Sequence, residues 1–76
     1  MKETLETIIK SLVEFPEQVT ITEVSGEKSV VLEVKVAETD MGKVIGREGK
    51  VANAIRTVIK ALAAKEQKKV NVEFIG

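Results

Sequence analysis

The chain has 76 residues, with 12 basic and 12 acidic side chains that cancel, and neither cysteine nor histidine. This length makes one small domain, burying only about 60% of the surface its unfolded chain exposes, with no disulfide or thiolate metal site to help. Without Cys or His the usual zinc ligands and the Ser-His and Cys-His nucleophile pairs are missing, so no catalytic residue, metal or cofactor is expected.

The first segment carries Leu5, Ile8, Ile9, Leu12 and Val13 at i, i+3, i+4, i+7 and i+8, the spacing of an amphipathic helix with one buried stripe. Its glutamates replace the basic-then-apolar pattern of a targeting signal, and no apolar run approaches the roughly 20 residues that span a bilayer. A cytoplasmic protein with no membrane insertion is expected. Phe15-Pro16 ends the helix, because the residue before proline is pushed out of the helical region. Two runs rich in β-branched residues follow, Val19 to Val24 and Ser29 to Val36, joined by Ser25-Gly26-Glu27-Lys28 in the manner of a hairpin. Val30, Leu32, Val34 and Val36 share one face of the second run, so one side packs and the other is wet.

Thr39 or Asp40 is placed to cap a short helix containing Met41, Val44 and Ile45, which Gly46 ends in a left-handed conformation. A longer helix runs from about Lys50 to Lys65. Val51, Ile55, Val58 and Leu62 form its narrow apolar stripe, with Lys50, Asn53, Thr57 and Lys60 on the far side. Val70, Val72 and Phe74 then alternate with Asn71 and Glu73 in a final strand, Lys69 to Ile75. The order α-β-β-α-α-β gives an α+β domain with helices on one face of a three-stranded sheet. A right-handed crossover through both later helices makes the second and third strands parallel, and the hairpin is antiparallel, so the sheet is mixed.

The neutral total hides a division. Met1 to Asp40 holds four basic and nine acidic residues, whereas Met41 to Lys69 holds eight basic residues against Glu48 and Glu66. The basic part opens with GKVIGREGKVANAIR, from Gly42 to Arg56. A P-loop is excluded there, because Val44 stands where its first glycine belongs and Val51 where its hydroxyl belongs; a dinucleotide fingerprint fails at Val44 too. Gly46-Arg47-Glu48-Gly49 between two helices survives. It lets a polymer backbone approach glycines that have no side chain, beside helix amides that favour phosphate. A bare G-x-x-G serves equally well as a tight turn between packed helices. Gly42 reads as a close-packing position.

In context, VIGREGKVANAIR resembles the VIGxxGxxI signature of KH domains, with Arg47 as the basic residue between the glycines. The strand-helix-GxxG-helix-strand unit covers about residues 29–75. Because the extra helix and strand precede it, the arrangement resembles the bacterial, type II form. The likeness extends over the whole chain, 1–76, to small stand-alone bacterial KH proteins, and so implies a single KH domain. It further implies a bacterial RNA-binding protein or RNA chaperone, gripping the backbone of about four unpaired nucleotides. A larger KH-containing partner and a link to cell-envelope growth and cell shape are also implied. Carried over by position, the RNA-binding residues are Lys43, Val44, Ile45, Gly46, Arg47, Glu48, Gly49, Lys50 and Asn53. Arg47 and Lys50 would meet phosphates, Ile45 would floor the groove, and Glu48 would weaken the grip. With only Phe15 and Phe74 as aromatics, base stacking is disfavoured.

A second reading has the groove idle and the domain acting through protein contacts. Ala52, Ile59 and Ala63 form a shoulder beside the long helix's stripe, which either packs on the protein's own sheet or forms a dimer surface.

Overall fold

The computed structural model describes residues 1–75. Its elements are α1 (Lys2–Leu12), β1 (Thr20–Ser25), β2 (Ser29–Lys35), α2 (Met41–Ile45), α3 (Lys50–Lys65) and β3 (Lys69–Ile75), with single 3-10 turns at Pro16–Gln18, Glu38–Asp40 and Arg47–Gly49. The sheet order is β1-β2-β3. β1 pairs antiparallel with β2, Ile21 opposite Val34, and β2 pairs parallel with β3, Leu32 opposite Val72. The α+β architecture, the mixed sheet and the element order are those expected from the sequence.

Alternation along the strands turns Ile21, Val30, Leu32, Val34, Val70 and Val72 toward the helices, where they form one core with Leu5, Ile9, Val44, Ile55, Ile59 and Ala63. Val24, out of phase with this pattern, is 57% exposed on the open face of the sheet. In α1 only Leu5 and Ile9 are fully buried, and Leu12 is exposed at the helix end.

Three expectations need correction. First, the apolar face of α3 is turned roughly 75° from the stripe the sequence suggested. The helix buries Ala52, Ile55, Ile59 and Ala63, whereas Val51 and Leu62 are half-buried and Val58 is 47% exposed. Small side chains at Ala52 and Ala63 let the helix settle close on its own sheet, and Ile59, with no exposed surface, fills the core rather than a dimer face. Second, Gly42 is exposed and nothing lies within 4 Å of where its Cβ would be, so it is no close-packing position. Third, neither Thr39 nor Asp40 caps α2 with its side chain.

Asp40 does something else. It is wholly buried, and its carboxylate accepts the amide N–H of Glu14 at Oδ1 and of Phe15 at Oδ2, both at 3.0 Å. Lys43 Nζ lies 3.5 Å from Oδ1 and 3.7 Å from Glu14 Oε2. The link pins the exit of α1 to the start of α2. It also explains why α1 stops at Leu12, ahead of Phe15-Pro16: the amides that would continue the helix face Asp40 instead. Burial pushes the Asp40 carboxyl up, but the two amide hydrogen bonds and Lys43 push it down further, leaving it below its ordinary 3.8. A folded-state value below the unfolded one stabilises the fold above the unfolded value, and that stability is lost as pH falls through the folded value. Asp40→Asn, which presents an amide nitrogen to one of the two backbone donors, is therefore expected to lower Tm at neutral pH. In thermal unfolding followed down to about pH 2 it should also flatten the acid limb of the Tm profile.

Candidate nucleic-acid interface

The chain passes from α2 to α3 through backbone that side chains resist. Gly46 has φ 74° and ψ 173°, so it ends α2 at positive φ as expected, but with extended ψ rather than in the left-handed helical region. Its placement is also sterically strict: a Cβ here would sit 2.4 Å from Val51 Cγ2 and 2.9 Å from the Val51 amide nitrogen. Gly49 is left-handed, at φ 74° and ψ 14°, and donates its N–H to the Gly46 carbonyl at 3.2 Å, closing the turn. Glu48 is left-handed too, at φ 56° and ψ 24°, a conformation that costs a residue with a side chain about 1–2 kcal/mol. The residue is exposed at the tip of the loop.

No side chain caps the start of α3, so its first turn presents the positive end of the helix dipole. Arg47 and Lys50, both exposed, stand at this end, and neither enters an ion pair among the described residues. Lys43 is exposed as well, but it is shared with Asp40 and Glu14. Ile45 is half-buried beside the loop. Val44, expected to touch a ligand, is wholly buried, so its part is to hold α2 against the core.

Asn53 lies on the exposed side of α3, and its Oδ1 accepts from Arg56 Nη1 at 3.3 Å. Arg56 is the residue that sequence reasoning passed over. Its Nε donates to the Val72 carbonyl of β3 at 3.1 Å, and its guanidinium carbon stands 5.2 Å from the centre of the Phe74 ring. The side chain thus bridges α3 to β3. Its place one turn beyond Asn53 was visible in the sequence, but the partner strand was not. Phe74, half-buried under this cation, is not an open stacking platform.

A βααβ unit with a positive-φ Gly-x-x-Gly turn at the head of its second helix, preceded by an extra helix and strand, defines a KH domain of type II. The KhpA/KhpB KH-domain family matches residues 2–74, and the chain belongs to that family. It is 63% identical over 75 residues to the RNA-binding protein KhpA of Clostridium acetobutylicum, covering 99% of this chain and 100% of that one. Likeness to the KhpA of Caldanaerobacter subterraneus subsp. tengcongensis is 52% over the same shares, and to that of Chlamydia trachomatis serovar D 43%, over 99% of this chain and 96% of the relative.

The two loop glycines should respond differently to alanine. Gly49→Ala meets nothing nearer than Asn53 Nδ2 at 4.0 Å and carries only the positive-φ cost, about 1–2 kcal/mol. Gly46→Ala adds to that cost an overlap worth about 1–3 kcal/mol, because Val51 has to move. Urea unfolding of the two variants measures the difference.

Proposed function

We propose that this protein binds single-stranded RNA as one KH module, gripping the sugar-phosphate backbone with the Gly46–Gly49 turn. The observation that carries this reading is the turn itself: positive φ at residues 46, 48 and 49, no Cβ at either glycine, and an uncapped α3 amino terminus beside two unpaired cations. A mere turn between helices needs the glycines, but neither the uncapped amino terminus nor the two unpaired cations. Arg47 and Lys50 meet phosphates at the positive end of the α3 dipole, and Ile45 gives bases an apolar floor. Glu48, exposed at the loop tip, opposes the phosphate and keeps binding weak and salt-sensitive. The names of the relatives agree with RNA as the ligand, and a role as an RNA chaperone in the bacterial cytoplasm is in keeping with weak, sequence-tolerant contact.

Replacing Arg47 and Glu48 together by aspartate tests the grip. With the circular dichroism of the parent retained, the variant should lose most of its affinity for a short oligoribonucleotide in low salt. The slope of log K against log salt should shrink by about 0.7 for each phosphate that is no longer neutralised. Unchanged binding would remove the loop from the interface.

A second reading, association through α3, is favoured by one specific observation. Val58, with half-buried Val51 and Leu62 and exposed Ala54 and Ala61, forms an apolar strip on the flank of α3 turned away from Arg56. This is the surface we assign to a homodimer, or to a heterodimer with a larger KH-containing, KhpB-like protein. Sedimentation should show Val58→Glu lighter than the parent at the same concentration; equal values for a folded variant would dismiss the strip.

A further inference from the structure

At the far end of α3 from the glycine loop, a cleft of roughly 320 Å³ is lined by Lys60, Lys68, Lys69, Val70 and Asn71. Its cations converge from two elements because the chain reverses sharply after α3. Gln67 takes a left-handed φ of 58°, the Lys68 amide bonds the Ala63 carbonyl at 3.0 Å, and the Lys69 amide bonds the Lys28 carbonyl at 2.9 Å. That last bond fixes which way β3 faces. In a parallel pair alternate residues bond the neighbour, so the backbone of Lys69 is engaged with β2 while those of Val70 and Val72 turn to the open edge. Arg56 takes the Val72 carbonyl there, and the Val70 amide is left facing the lysine cleft. Among the described residues none of the three lysines has a carboxylate partner.

We infer that this cleft is a second phosphate-binding site, and that its ligand is a phosphodiester farther along the same RNA strand. The inference rests on the RNA-binding reading above and extends it. Lys50 and Lys60 are ten residues apart, about 15 Å along the helix axis, and both project from its solvent side. Between them Asn53 and Arg56 lie on the flank of α3 that faces β3. A strand held at Gly46–Gly49 and lying along that flank is carried to Lys60, where the other two lysines and the Val70 amide close around its backbone. A glycine loop alone holds about four nucleotides. The cleft lengthens the footprint and adds charge contacts without adding base selectivity. Lysines gathered only to offset the negative end of the α3 dipole would leave binding independent of strand length.

Lys60→Gln with Lys68→Gln tests the cleft, and Lys2→Gln with Lys35→Gln is a control of equal charge change. Oligoribonucleotides of about four and about ten nucleotides separate the two sites. For the longer strand, the cleft variant should bind with a log K against log salt slope smaller by about 1.4, two phosphates at about 0.7 each, while the control keeps the parental slope. For the shorter strand, cleft variant and parent should bind alike. Equal slopes for cleft variant, control and parent on the long strand would overturn the inference. Failure of the parent to bind the short strand would instead count against the glycine-loop grip. Inorganic phosphate supplies the other arm: amide NMR shifts at Lys69, Val70 and Asn71 should move with the long strand. If they move with phosphate alone, the site serves a small anion and the RNA assignment is overturned.

Discussion

The backbone of Gly46 passes so near Val51 that no other residue fits between them. That contact sets how α2 meets α3, and the rest of the molecule is arranged around its consequence. With α2 turned back at this point, Val44 drops into the core, and the following residues are forced into a loop that stands clear of the surface. The same close approach that makes the turn costly makes it stiff, and a stiff loop gives up little conformational freedom when a polymer settles on it.

One helix then divides the labour. Ala52, Ile55, Ile59 and Ala63 hold α3 to the sheet, the flank with Asn53, Arg56 and Lys60 faces the β3 edge, and the opposite flank carries the apolar strip around Val58. Nucleic acid and a protein partner bound as proposed would therefore not compete for the same side chains. Two copies joined through the apolar flank would display two basic flanks pointing outward, which would raise the effective concentration of one for a strand already held by the other.

Much of this is legible in the amino-acid order alone, and the exceptions are instructive. The limits of α3 and β3 are readable to the residue, because glycine before the helix and strict alternation in the strand are local signals. The orientation of α3 is not, since apolar residues cover more than half of its circumference and periodicity alone does not say which part of so wide an arc meets the sheet. The shoulder of Ala52, Ile59 and Ala63, which the sequence leaves open between the protein's own sheet and a dimer surface, marks the line of closest approach to the sheet. Asp40 stands where a helix cap belongs, and its real partners lie 25 and 26 residues earlier in the chain, beyond the reach of any pattern rule. In the loop, the glycines are readable as positive-φ positions, but the left-handed Glu48 between them is not, because glutamate carries no propensity for it. The lysines at the α3–β3 junction register only as part of a basic half; their convergence depends on the reversal at Gln67.

The bond from Arg56 to the Val72 carbonyl has a bearing on solubility. β3 is a border of the sheet, rich in valine and isoleucine, and a bare border of that kind invites a strand from another molecule to add on. With one acceptor already claimed by a bulky, charged guanidinium and lysines crowding the start of the strand, a second copy finds neither a free ladder nor an unopposed approach. The same cations that we assign to the polyanion would then also guard this border against fibrous self-association.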